Sequence, residues 1–291
     1  MTRPVCALTG GRGYVGSRIR RALALHGWQV LLLCRTPNSA NADEVAWSLG
    51  KNGDTRSLLA ERNVRALVHA AWDFSVLDPR EYRRINVEGT QHLLRSAKEA
   101  GVSQSIFIST ISAFEGARSL YGRAKLEAEK IAAAYGALAI RPGLVYGSRS
   151  GGVYGAMSET VAKGGLVPLI GSGRYPQYLV HEEDLCSAIT QACEGAWQAE
   201  IGTPITIANS AVWQFRDLLQ AIAKIENKQI RLLSVPWMGV YAGLKLAEAI
   251  KIRIGFRSDS VLSLVNQNPA PDFSPLERLG LAPRPFPQGV A

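Results

Sequence analysis

Thr9-Gly10-Gly11-Arg12-Gly13-Tyr14-Val15-Gly16 follows an apolar run, Val5 to Thr9, and opens a segment of helical period from Tyr14 to His26 that Gly27 closes. Strand, glycine turn and helix in that order are the context in which such glycines acquire meaning. Gly10 permits the tight turn, Gly13 lets the backbone approach a pyrophosphate, and Gly16 lets the helix pack against the strand. Tyr14 and Val15 begin the helix, whose free N–H groups and partial positive charge face the phosphates. The octet predicts a dinucleotide site at the start of a parallel α/β sheet.

Outward from this turn, short apolar runs alternate with helix-period segments. Gln29 to Cys34, Glu44 to Ser48, Ala66 to His69, Ser105 to Ser109 and Ala137 to Arg141 read as strands. Thr55 to Arg62, Pro79 to Ala100 and Leu120 to Tyr135 read as the helices between them. Right-handed crossovers make this a doubly wound parallel Rossmann sheet, class α/β. After Pro142 the chain turns rich in Gly and Ser, which suggests a smaller, discontinuous substrate lobe. The expected division is a dinucleotide-binding domain over 1–147, a lobe over 148–180 and 208–291, and a return to the sheet over 181–207. A tail with six prolines between Pro269 and Pro287 should wrap as extended chain around one short helix, Pro275 to Leu279.

The composition sets bounds. With 291 residues, 47% apolar and 20% charged, the chain can bury a full core. The net charge of +9 favours an anionic small-molecule partner, while the absence of a clustered Lys/Arg tract with interleaved aromatics argues against nucleic acid. Cys6, Cys34, Cys186 and Cys193 show no zinc-type spacing, so no metal and a reduced, cytoplasmic protein are expected. No apolar stretch reaches the length of a transmembrane helix. The segment from Pro236 to Arg257, with four basic residues against Glu248, reads either as an interfacial basic helix or as a surface helix packed on its own domain.

Cofactor choice falls at the end of the second strand. The position where a carboxylate would hold the ribose hydroxyls is Cys34, followed by Arg35. Arg35, helped by Arg12, is the candidate holder of a 2′-phosphate, which favours NADP over NAD. Asp54 is read as a helix cap, with a place near the adenine as the alternative. Further on, Tyr121 and Lys125 stand at i and i+4 and share a helix face. An ammonium one turn away should lower a phenol pKa and make Tyr121 a usable acid or base. Ser109, Thr110 and Ser112 sit at the carboxyl end of the fifth strand, where open sheets bind ligands, and the Thr110 hydroxyl could hold a substrate oxygen.

Together these motifs resemble the short-chain dehydrogenase/reductases, in the extended branch of NAD-dependent epimerases and dehydratases of nucleotide sugars. Besides the loop and the Tyr121/Lys125 pair, the resemblance rests on His69 to Ala71, Asn86 to Thr90, Arg141 to Gly147 and Val180 to Leu185. It implies that Tyr121 is the catalytic acid or base, that Lys125 also binds the nicotinamide ribose, and that Thr110 takes the usual Ser/Thr role beside Ser109. It places the Ala70 and Ala71 backbone along the cofactor and Pro142 and Gly143 near the carboxamide, and it gives Asn86 a tethering role. Ser112, Arg149, Arg174 and Gln177 are the substrate-side candidates, Gln177 standing where many sugar-nucleotide enzymes have a diphosphate-gripping Arg. His181 is expected to be structural. Ile111 and Ser112 replace the acidic pair of the dehydratases, so dehydration is not expected. By analogy the two long helices could form a homodimer contact.

The resulting expectation is hydride transfer to or from a secondary alcohol or ketone carbon, in a nucleotide sugar by preference, as a 4-keto reductase or a 4-epimerase. The alternative is a catalytically silent dinucleotide-binding scaffold or redox-sensing subunit, against which the intact Tyr121 and Lys125 weigh.

Overall fold

The computed structural model describes residues 3–51, 53–147, 151–250, 252 and 256–287. In chain order the strands are β1 (Val5–Thr9), β2 (Gln29–Cys34), β3 (Glu44–Ala46), β4 (Val64–His69), β5 (Gln104–Ile108), β6 (Leu138–Pro142), β7 (Leu144–Tyr146), β8 (Gly165–Ile170), β9 (Pro176–Gln177), β10 (Leu179–His181), β11 (Ile205–Ile207), β12 (Trp213–Gln214) and β13 (Ile230–Val235). The helices are α1 (Tyr14–Leu25), α2 (Thr55–Glu61), α3 (Pro79–Arg83), α4 (Gly89–Glu99), α5 (Leu120–Ala134), α6 (Gly152–Ala162), α7 (Glu182–Cys193), α8 (Phe215–Ile225), α9 (Trp237–Ala249), α10 (Ser258–Val265) and α11 (Ser274–Arg278).

Seven strands form one parallel sheet in the order β11-β6-β5-β4-β1-β2-β3. The central strands are near-continuous Val, Leu, Ile and Ala because helices cover both faces. On one face Ile19 and Leu23 of α1 meet Leu185 and Ile189 of α7 over Leu8, Val68 and Ile140. On the other, Leu59, Leu93, Leu94 and Ala128 pack over Leu67 and Phe107. The chain runs outward from β1 in one direction to β2 and β3 and in the other to β4, β5 and β6. The switch point therefore lies between the carboxyl ends of β1 and β4, at Thr9 and His69.

A separate apolar cluster lies under the C-terminal half, where Met157, Val161, Val167, Leu169, Leu218 and Ile222 pack together. The tail locks into it: Phe286 is buried against Tyr146 and Trp213, and Asn209 donates its amide to the Pro283 carbonyl at 2.8 Å.

The long helix expected over Pro79 to Ala100 is interrupted by a π turn, Arg84–Glu88. Asn86 supplies the reason. Its side-chain amide is committed to the loop after β4, accepting from the Asp73 N–H at 2.7 Å and donating to the Asp73 carbonyl at 3.0 Å. Gly89 lies so close to the Gly50 backbone that a Cβ would meet Gly50 N at 2.7 Å.

Gly16 gives a test of the turn. A Cβ there would stand 2.1 Å from the Gly10 carbonyl oxygen and 2.9 Å from Gly11 Cα, both backbone atoms that cannot swing aside. Gly16→Ala is expected to cost about 1–3 kcal/mol in urea unfolding and to abolish dinucleotide binding; unchanged binding in a titration would contradict this reading of the loop.

Candidate active site

The turn after β1 is fixed by sterics. Gly10 has φ +70°, and a Cβ there would lie 2.7 Å from the Ala70 carbonyl carbon and the Ala71 nitrogen. The Gly13 N–H closes the turn on the Gly10 carbonyl at 2.9 Å. At Gly13 a Cβ would meet nothing nearer than that same oxygen, at 3.3 Å, so this side of the loop lies open. No side chain caps α1, and its first turn carries no acidic residue. Uncapped N–H groups, an open glycine edge and a positive helix end are what a pyrophosphate requires, so these residues fit a dinucleotide. Val15 packs inward on the core, and Tyr14 donates its hydroxyl to Glu182 at 2.9 Å.

A chain of hydrogen bonds fixes the segment facing the loop. The Ala71 N–H donates to Thr9 Oγ1 at 3.1 Å, and Thr9 Oγ1 lies 2.7 Å from His69 Nδ1. At the other end Thr90 Oγ1 gives its proton to the Asn86 carbonyl at 2.6 Å, so His69 Nε2, 2.9 Å away, must be the donor to Thr90. Nδ1 is then the acceptor and Thr9 its donor. Such an imidazole is neutral, in keeping with burial that pushes its pKa down to about 3. This chain holds the Ala70–Ala71 backbone against the glycine turn.

At the end of β2 the geometry adds a carboxylate. Glu44 accepts from Arg12 Nη2 at 2.7 Å and from the Asn38 N–H at 2.9 Å, with Arg20 3.8 Å away. The Asn38 amide and the Arg12 guanidinium hold its pKa below the usual carboxylate range. Arg12 is thus partly neutralised, whereas Arg35 is exposed with no partner among the described residues. Asp54 caps α2 by accepting from the Ser57 N–H at 3.0 Å.

Tyr121 and Lys125 share one face of α5, as their spacing requires. The expected lowering of the phenol pKa is not found: burial pushes Tyr121 up to about 12, opposed in part by a hydrogen bond from Thr110. The reason is where the ammonium points. Lys125 is 3% exposed, and its Nζ donates to the Ile108 carbonyl at 2.6 Å and sits 4.0 Å from the Trp72 ring centre and 4.6 Å from that of Phe107. Burial brings it down to about 7, with the Glu129 carboxylate pulling the other way. The Tyr121 ring is held between Trp72 and Phe74, whose centres lie 6.2 and 5.4 Å away.

The Ser109 hydroxyl is engaged within the protein. Its hydroxyl donates to Glu129 at 2.5 Å, and the same carboxylate takes two bonds from Arg141, at 2.8 and 2.6 Å. Ser109 therefore ties α5 to β6 and offers no free hydroxyl to a ligand. Pro142 accepts from the Ile111 N–H at 3.0 Å, and Gly143 permits an approach in which a Cβ would meet the Tyr178 carbonyl oxygen at 2.3 Å. Both stand at the carboxyl end of β6. His181 caps α7, its Nδ1 accepting from the Glu183 N–H at 3.3 Å.

Residues near the C-terminus complete the site unannounced by local pattern. Asp259 of α10 caps α5, accepting from the Leu120 N–H at 2.7 Å and the Tyr121 N–H at 3.0 Å. Arg257 donates to the carbonyls of Phe74 and Val76. Ser112 faces the same strap, 3.3 Å from Ser263 Oγ and 3.5 Å from Gln267 Oε1. Of the other substrate-side candidates, Gln177 is buried and donates its amide to the Pro176 carbonyl at 2.8 Å, so it does not reach out to a ligand. Arg174 is exposed with no side-chain partner among the described residues, and Arg149 lies outside them.

A family model described as the NAD dependent epimerase/dehydratase family matches residues 6–208. A ceramide reductase of Caulobacter vibrioides is 24% identical over 254 residues, 85% of this chain and 78% of the relative. A UDP-glucose 4-epimerase of Vibrio cholerae is 29% identical over 192 residues, but the match takes in 56% of this chain and 57% of the epimerase, little more than half of each. Among solved structures, a UDP-glucose 4-epimerase of Thermotoga maritima crystallised with UDP-glucose superposes with a TM-score of 0.72 at 20% identity, over 96% of this chain and 94% of that one. A glycine turn at the sheet's switch point, a Tyr/Lys helix face beside it and a match spanning both make this chain a member of the NAD dependent epimerase/dehydratase family.

Proposed function

We propose that the protein is an NAD(P)-dependent oxidoreductase that reduces a ketone, or oxidises the matching secondary alcohol, with Tyr121 exchanging the proton at the substrate oxygen. The observation that carries this is a half-buried Tyr121, close to Thr110, on the same α5 face as the buried Lys125, at the carboxyl end of the sheet that also holds the glycine turn. Gly10, Gly13, the start of α1, Ala70, Ala71, Pro142 and Gly143 would hold a nicotinamide dinucleotide, which would supply or accept the hydride. The chain's own residues do the rest. Trp72 and Phe74 pack on the phenol ring and keep it in place. Because burial holds the phenol protonated through the neutral range, Tyr121 is poised as a proton donor, the role that ketone reduction needs. Thr110 sits beside it as the second hydrogen-bonding group for the substrate oxygen.

On the cofactor, the proposal is NADP, held at the 2′-phosphate by Arg35 with Arg12. For the substrate, a nucleotide sugar suits the family, with Arg174 and Ser112 as contacts and a 4-epimerase as the other reaction type. A ketone with a large apolar group is the second reading, favoured by the inward-turned Gln177 amide and by the reductase relative's match over 85% of the chain.

Tyr121→Phe tests the reaction. It is expected to lower kcat roughly a hundred- to ten-thousand-fold while leaving dinucleotide affinity within a factor of a few; wild-type turnover in the variant would remove Tyr121 as the proton donor. Assayed in parallel on NADPH with ketones and on UDP-glucose, net cofactor consumption supports the reductase, whereas epimer formation without it supports the epimerase.

Glu44→Gln tests the cofactor. Releasing Arg12 should lower the KM for NADPH by about two- to fivefold, the scale of a partly exposed ion pair, and leave NADH unchanged. A raised KM for NADH alone would instead make Glu44 a ribose-holding acid and overturn the NADP assignment.

Lys125 predicts a pH effect on stability. Its pKa is about 7 when folded, far below the unfolded value, so between those limits the unfolded chain binds the extra proton. This group's contribution to stability rises with pH from about 7 upward. In chemical denaturation Lys125→Met should flatten that rise; parallel pH profiles for variant and wild type would contradict the buried ammonium.

A further inference from the structure

Helix α9 turns an almost wholly apolar side outward. Of the exposed positions 238, 239, 242, 243, 245, 246, 249 and 250, only Lys245 carries a polar side chain; Met238, Leu246 and Ile250 are 66%, 65% and 60% exposed. A helix on the surface of a globular protein ordinarily turns charges outward and hides its apolar stripe. Here Leu244 is buried, while Ile252 and Phe256 extend the exposed apolar surface past the helix end.

The surroundings are basic. A cleft of about 380 Å³ between α9, α10 and the start of α5 is lined by Tyr241, Leu77 and Leu262 together with Arg118, Arg123 and Lys245. Arg118 and Arg123 have no hydrogen-bond or ion-pair partner among the described residues, and Lys245 faces Glu248 at 3.8 Å. The sequence adds Lys251 and Arg253 between Ile250 and Phe256. Glu248 is meanwhile engaged by the Ser258 N–H and hydroxyl, at 2.9 and 2.8 Å.

We propose that α9 docks this protein on an anionic membrane surface, its apolar stripe entering the headgroup boundary and Arg118, Arg123 and Lys245 meeting lipid phosphates. An apolar helix face with a cationic rim matches that partner in both respects. A second copy of this chain matches it in one: a two-fold contact through the stripe would bring the same uncompensated cations toward each other. The proposal does not depend on the substrate assigned above. Docking would lie one short element from the chemistry, since Glu248 holds Ser258 and the next residue, Asp259, caps the catalytic helix.

The test is flotation of the full chain with vesicles of phosphatidylcholine, alone or containing phosphatidylglycerol, at low and high salt, with light scattering on the free protein. The wild type should float with phosphatidylglycerol vesicles, weakly with phosphatidylcholine, and less at high salt. Leu246→Glu/Ile250→Glu and Arg118→Glu/Arg123→Glu should each reduce the bound fraction by about tenfold or more, with melting temperature and NADPH affinity retained. No flotation of the wild type, or flotation indifferent to Leu246→Glu/Ile250→Glu, overturns the proposal. So does a wild-type dimer that this pair of substitutions converts to monomer, because a second copy would then cover the stripe.

Discussion

An ammonium group held almost free of water at the end of β5 is the constraint around which this site is organised. Stripping a cation of its hydration costs several kcal/mol, against a net stability of about 5–15 kcal/mol for a typical domain. The Ile108 carbonyl and the faces of Trp72 and Phe107 offset part of that cost, and Glu129 contributes at longer range. Nothing about packing needs a lysine there; a methionine would fill the space without the charge. Buried, perturbed titratable groups gather where chemistry is done, and this one lies on the helix face that carries Tyr121.

The remaining features keep that face in register with the glycine turn. They lie at the carboxyl ends of β1 and β5, parallel strands with β4 between them, so the sheet itself sets their separation. The hydrogen-bond chain from Ala71 through Thr9, His69 and Thr90 to Asn86 pins the wall between them, and Asn86 pins its continuation at Asp73. From the other side Asp259 and Arg257 clamp the start of α5 and the Phe74 loop to the C-terminal strap. The phenol is thus held by one short-range spacing and two long-range clamps.

Sequence reasoning reached the parts governed by local rules. The glycine octet carries its meaning within a few residues, and alternation of apolar runs with helical period is enough for the sheet. It reached Tyr121 and Lys125 because i and i+4 share a face, but that spacing does not say where a four-carbon stem ends, and the ammonium turns to the Ile108 carbonyl instead of the phenol. The Glu44–Arg12 pair spans 32 residues and the Asp259 cap 138, distances over which no pattern speaks. Ser109 shows the same limit: a hydroxyl at a strand end reads as ligand-facing until its partner, Glu129, is seen 20 residues away. The interruption of the helix expected over Pro79 to Ala100 escaped too, because the π turn answers to Asn86's contacts with another loop.

The most direct measurement is a crystal structure with NADP(H) bound. The account predicts the nicotinamide lying beside the Tyr121 hydroxyl and Thr110, with Lys125 beneath and the pyrophosphate on the first turn of α1. A ring found elsewhere, with the Tyr121 oxygen still enclosed by Trp72 and Phe74 and no path to the nicotinamide, would contradict it.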